Sequence, residues 1–208
     1  MVKLSRQGEA LVEYYKQMAQ DGYTRRDGVE VTNAFSDFEL RKFRNFVLPV
    51  ISQLDIDTVL DYGGGGSDWD AQDFEPSSGD SAKEFFSIKE VTKYEPAREL
   101  SQTEIADCVV CIDVLEHIFL SDLPSVVREL FHLARKLLVI NVGCYLAAAL
   151  LPNGENAHVT VRKPDWWKGI IDSIALDFPH VQVLLICSET FDSGIVFDTC
   201  RAQSWVDS

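Results

Sequence analysis

The sequence lacks the usual marks of export, membrane residence and disulfide reinforcement. Residues Met1 to Ser5 run straight into charged side chains, without the apolar core of a signal peptide. No apolar run approaches the ~20 residues that a bilayer span needs, and Tyr145 to Leu151 is among the longest. Five cysteines are an odd number for a disulfide framework, so a reducing, cytoplasmic setting is expected. The lone C-x-x-C, Cys108 to Cys111, sits in an apolar, β-branched run that reads as a buried strand. Residues three apart on a strand point to opposite faces, so these two thiols cannot share an ion. No second C-x-x-C is present, and no metal ligands are expected. Positive charge is scarce as well: 33 acids against 19 Lys and Arg leave a net charge of −14. Phosphate contacts supply most nucleic-acid affinity, so a polyanion is disfavoured and a small molecule is the expected partner.

What is present is the composition of one globular domain. The 208 residues suffice for a single well-buried core, with 46% apolar and 25% charged residues. Helical spacing runs from Ser5 to Gln20, with Gly22 as its stop, and again from a capping box at Ser36-Asp37-Phe38-Glu39 to Leu54. Tyr23 to Ala34 reads as a loop between them. Thr58 to Asp61 is a short strand that runs into four glycines. Asp68 to Glu84 is an acidic loop, Phe85 to Tyr94 holds a strand, and Asp107 to Ile112 is a fully apolar, central one. A helix from Ser121 to Arg135, a strand from Lys136 to Val142, and a helix from Pro164 to Leu176 follow. Strands Val181 to Cys187 and Ile195 to Cys200 close the chain. Alternating strands and helices imply an α/β sandwich with a mainly parallel sheet.

The chemistry concentrates after the first of these strands, in Asp61-Tyr62-Gly63-Gly64-Gly65-Gly66-Ser67. Ligands of open α/β sheets bind beyond the carboxyl ends of the strands, and this run stands at such an end. The dinucleotide pattern G-x-G-x-x-G fails, because Asp68 takes the last glycine position. An acid also sits badly beside a pyrophosphate, so a phosphate-free nucleoside cofactor suits the loop better. Asp61-x-Gly63-x-Gly65 resembles the first motif of the class I S-adenosylmethionine-dependent methyltransferases. Two further segments occur in that family's order: Val91-Thr92-Lys93-Tyr94-Glu95-Pro96 and Ile112-Asp113-Val114-Leu115-Glu116-His117-Ile118. The whole chain further resembles an uncharacterised bacterial and phage methyltransferase-like group, through Leu151 to Thr160 and Pro164-Asp165-Trp166-Trp167.

The resemblance implies a Rossmann-like methyltransferase sandwich and S-adenosylmethionine as cofactor, with S-adenosylhomocysteine as product. Asp61, Gly63, Gly64 and Gly65 would pack around its methionine part, Glu95 would bridge the ribose hydroxyls, and Asp113 would lie near the methionine end. Residues 1–208 would form one domain, with the helices of 1–55 covering the cofactor and acceptor cleft. Only 17 residues separate Glu95 from Asp113, and the central strand uses six of them. The family's third strand is therefore expected to be lost, and the last strand to run antiparallel. Methyl transfer to a hydroxyl or amine calls for a base that titrates near neutral pH, which favours histidine. His158, after the polar Asn153 to Asn156, and His117 are the candidate catalytic residues. The alternatives are a cofactor-binding regulatory or scaffold module without catalysis, or a methyltransferase acting on protein or nucleic acid.

Overall fold

The computed structural model describes residues 2–35 and 38–198, and the backbone of 201–206. Ser5 caps α1 (Arg6–Asp21) by accepting the Gly8 amide at 3.1 Å, and the Gly22 amide closes it on the Met18 carbonyl. The segment read as a loop carries a small antiparallel hairpin, β1 (Tyr23–Thr24) with β2 (Glu30–Val31). Pairs of two residues are too short to leave a period in the sequence. α2 (Leu40–Gln53) buries Leu40, Phe43, Val47, Val50 and Ile51 along one face. Ser36 and Asp37 of the expected capping box lie outside the described residues, and Glu39 precedes α2 without a side-chain cap.

The main sheet is built from β3 (Thr58–Tyr62), β4 (Glu90–Glu95), β5 (Leu100–Ser101), β6 (Ala106–Ile112), β7 (Ala134–Gly143), β8 (Gln182–Ser188), β9 (Ser193–Asp198) and β10 (Arg201–Val206). Its order is β10-β9-β8-β7-β6-β3-β4-β5. The five strands from β8 to β4 pair in parallel, whereas β5, β9 and β10 pair antiparallel with their neighbours. The Rossmann-like α/β class expected from the sequence is thus the one observed. After Glu95 the chain forms only a 3₁₀ turn, Pro96–Arg98, and the two-residue β5, so no third parallel strand is present. The closing part differs from expectation, because two antiparallel strands follow β8 rather than one. Thr199 and Cys200, assigned from sequence to the last strand, lie outside the described residues.

Side-chain alternation divides the core. Leu60, Val109, Cys111, Leu138, Ile140 and Leu185 face α4 (Leu123–Leu133) and α5 (Pro164–Ala175) on one side. Val59, Cys108, Val110, Leu137, Val139 and Ile186 face α2 and α3 (Ala82–Phe86) on the other. Cys108 and Cys111 therefore lie on opposite faces, as strand geometry requires. The acidic stretch after the glycines is irregular, and buried Trp69 and Phe74 pin it to the α2 face. A third cluster places α1, through Leu11 and Met18, against Ala147, Leu151 and Ala157. Helix α1 thereby roofs the carboxyl ends of the strands. From β3 the chain first moves to β4 and then returns to β6, so strand order reverses between β3 and β6. That is where an open α/β sheet leaves a crevice.

Candidate functional site

Each strand beside the crevice ends in a turn that carries an acid. At β3, Asp61 is 4% exposed and folded into the glycine loop, accepting the Trp69 indole N–H at 2.8 Å and the Ser67 hydroxyl. A Cβ on Gly64 would stand 2.3 Å from both Asp61 carboxylate oxygens, so only glycine lets the loop close around this carboxyl. Burial raises the Asp61 pKa, and the two donors hold the rise in check. The Gly63 amide continues the sheet by donating to Tyr94 O at 2.7 Å. Glu95, the last residue of β4, accepts the Gly65 amide at 3.0 Å and the Ala97 amide at 2.9 Å, one on each oxygen. Burial raises its pKa too, against the pull of those amides. The Lys93 ammonium donates to Ser67 O from beneath.

Beyond β6 the backbone turns sharply. Asp113 adopts φ +57°, a left-handed conformation that costs a non-glycine residue energy and is less disfavoured for aspartate than for most. The 3₁₀ turn Leu115–His117 then sets Glu116 inward and His117 toward the crevice. His158 arrives from the segment after β7, its ring centroid 4.7 Å from that of His117 at an interplanar angle of 82°. Each Nε2 lies 4.0 Å from an Asp113 oxygen. Burial opposes ionisation of Asp113, yet the neighbouring His117 and His158 prevail and hold its carboxyl at about 2. Burial, reinforced by the charge of His117, pushes His158 down to about 4, so it is neutral at pH 7. Burial and the Asp113 charge push Glu116 well above the usual carboxylate range.

These groups meet on one cavity of about 400 Å³. Asp61, Gly63, Gly64, Gly65, Glu95, Asp113, His117 and His158 all line it. The roof comes from the N-terminal part, where Tyr15 and Tyr23 pack around Phe35 at centroid distances of 5.7 and 5.9 Å. Among the described lining residues there are six carboxylates (Glu39, Asp61, Glu95, Asp113, Asp122 and Glu129) and one lysine, Lys42. Such a wall attracts a cationic ligand and repels a pyrophosphate.

Two residues of the site stand apart from the sequence candidates. Glu116 reads as an acid in the first turn of a helix, but it is 0% exposed and accepts the Gly143 amide of β7. Its position three residues beyond Asp113, on a tight turn, is the one sequence signal that places the two on a common side. Tyr15 reads as helix packing, and its hydroxyl reaches His117 Nδ1 at 2.5 Å. Trp166 and Trp167, by contrast, are absent from the cavity wall. Trp167 is fully buried in the core beneath α5, and Trp166 is 36% exposed. His132 lies in α4 against Phe178.

Comparison with solved structures matches the chain to the 1,6-didemethyltoxoflavin-N1-methyltransferase of Burkholderia thailandensis, solved with 1,6-didemethyltoxoflavin and S-adenosylhomocysteine bound. The match covers 100% of this chain and 76% of that one, at 11% sequence identity and a TM-score of 0.40. No protein-family model matches the chain, and no curated protein does. Among the described residues no helix is long and apolar enough to cross a membrane.

Proposed function

We propose that the protein transfers a methyl group from S-adenosylmethionine to a hydroxyl or amine of a small molecule. One observation carries the reading: the glycine turn, Glu95 and Asp113, each at the end of a different strand, share one acid-lined cavity at the point where strand order reverses. A nucleoside laid across that point would meet Glu95 with its ribose hydroxyls. Both Glu95 oxygens keep a free acceptor direction beside the amides they already hold. The methionine end would then lie between Gly63–Gly65 and Asp113, where the negative wall suits both a sulfonium and an ammonium group. Among the described lining residues six carboxylates outnumber the one lysine, Lys42, and the irregular stretch directly after the glycines offers no helix N-terminus for a pyrophosphate.

The sulfonium supplies the activation, so the protein's task is to align the acceptor and accept its proton. His158 and His117 stand beside Asp113, where the reactive methyl would face, and a neutral imidazole there can take that proton. Residues 1–208 form one domain in this reading, with 1–55 covering the cofactor and acceptor cleft. Buried free thiols at Cys108, Cys111 and Cys187 fit a cytoplasmic setting. Calorimetry tests the proposal. S-adenosylmethionine and S-adenosylhomocysteine should each bind at one site per chain, and NAD should not. Binding of NAD, with neither adenosyl compound bound, overturns it.

A further inference from the structure

Asp113, His117 and His158 converge so that one donor atom from each lies within 4.8 Å of the others. The contacts behind the rings decide what faces inward. His158 Nδ1 lies 2.5 Å from Tyr145 O, and His117 Nδ1 lies 2.9 Å from Ala157 O. A carbonyl oxygen only accepts, so His158 Nδ1 carries its ring's proton and its Nε2 presents a lone pair; His117 Nδ1 also meets the Tyr15 hydroxyl, a group that both donates and accepts, at 2.5 Å. Each Nε2 lies in the space before Asp113, 4.0 Å from a carboxylate oxygen. Three potential ligand atoms thus face one another.

Behind them stands a fourth. Glu116 gives one oxygen to the Gly143 amide, while its Oε2 is buried without a hydrogen-bond partner. A Cβ on Gly143 would stand 2.6 Å from His158 Cε1 and 2.9 Å from Glu116 Oε1, so bare backbone is what lets ring and carboxyl pack together. A buried carboxyl oxygen without a hydrogen-bond partner is costly unless it holds a proton or a positive charge sits nearby. Imidazoles whose Nδ1–H is fixed by a backbone carbonyl are oriented as metal ligands are.

We propose that Asp113, His117 and His158 bind a divalent first-row transition ion, with Glu116 behind them as a second carboxyl. Two imidazoles favour the manganese-to-zinc series over magnesium or calcium, which prefer all-oxygen shells. Metal–ligand bonds of ~2.0–2.2 Å put tetrahedral ligand atoms about 3.4 Å apart, so separations of 4.0 Å to Asp113, and of 4.8 Å at most, close by roughly 0.6–1.4 Å. The sequence expectation of no metal rests on Cys108 and Cys111 alone, and Asp113, His117 and His158 lie on two segments of no recognised spacing. Asp113 is 45% exposed, and its open side faces the cavity. An acceptor bearing a hydroxyl would complete the ion's shell there. That role rests on the methyl-transfer reading, whereas binding of the ion does not. With the ion bound, the two lone pairs hold it instead of taking the acceptor's proton.

The test is a titration of chelator-treated, full-length protein with Co²⁺, read by visible ligand-field absorption, and with Zn²⁺, read by calorimetry. Both ions should bind at one site per chain. His117→Gln and Asp113→Asn should each weaken binding by more than the about 10–100-fold that loss of an outer partner costs. His180, two residues before β8 and not among the cavity-lining residues, is the control, and His180→Gln should leave binding unchanged. X-ray absorption of the Zn²⁺-loaded wild type decides the case even where a variant fails to fold: it should show imidazole nitrogen and carboxylate oxygen. A sulfur shell, affinity unchanged in the folded variants, or no saturable binding of either ion overturns the proposal. S-adenosylhomocysteine titrated into the same chelated protein reports on the cofactor reading separately.

Discussion

Glu95 is the residue on which the cofactor reading depends most, because it has two duties. Its oxygens hold the Gly65 and Ala97 amides, and from the end of β4 it lines the cavity. We expect Glu95→Ala to weaken S-adenosylhomocysteine binding by about 1.5–3 kcal/mol, the range for hydrogen bonds to a charged group. Calorimetry on the folded variant checks this, and unchanged affinity would move the ribose elsewhere. Gly64→Ala probes the loop rather than the ligand. Its methyl would meet the buried Asp61 carboxylate at 2.3 Å, so we expect overpacking to cost about 1–3 kcal/mol in urea unfolding. Full wild-type stability would mean that Asp61 is not fixed inside the loop. The strand-end positions of Asp61 and Asp113 were legible in the sequence because each follows apolar, β-branched residues, whereas Glu95 follows the mixed Val91 to Tyr94 and was placed by motif order. Glu116 was not legible, since its burial is set by Gly143, a strand away, and no local pattern reports that contact.

At the scale of elements, long apolar runs announced themselves and short or polar pieces did not. Continuous apolar sequence marks β6 and β7, which are covered on both faces. By contrast Arg201 to Val206 has little apolar character, and β10 went unread. Trp69 and Phe74 lie in an acidic, turn-rich stretch that reads as solvent-exposed, yet they fill the α2 face. That stretch is also tied to α2 by Arg44 and Glu75, 2.6 Å apart. The Arg44 hydrogen bond, helped by Ser77, holds Glu75 at about 2, below the unfolded value of roughly 4.3. A depressed carboxyl pKa gives stability that is complete above the unfolded value and lost as pH falls toward the folded one. Between pH ~4.5 and ~2 the melting temperature of Glu75→Gln should therefore fall less steeply than that of wild type; parallel profiles would remove the pair's contribution.

Helix α5 allows a sharper packing test. Trp167 is fully buried, and its Nε1 has no hydrogen-bond partner. We expect Trp167→Ala to cost about 3–5 kcal/mol through the cavity it leaves. Trp167→Phe should cost distinctly less, because the orphaned N–H, itself a penalty of about 1–3 kcal/mol, leaves with the indole. Chemical denaturation of both variants gives the order, and equal losses would show that the N–H is satisfied in solution.

Taken whole, the molecule joins a net charge of −14 to a cavity walled by six carboxylates and one lysine. Long-range and local fields thus agree in favouring a cationic ligand over a polyanion. The measurement that bears most directly on this account is a crystal structure with S-adenosylhomocysteine at saturating concentration. The ribose hydroxyls should lie within hydrogen-bond distance of Glu95, the methionine part against Gly63–Gly65, and the sulfur on the side of Asp113, His117 and His158. A cavity without the ligand, or the ligand bound away from Glu95 and the glycine turn, would contradict it.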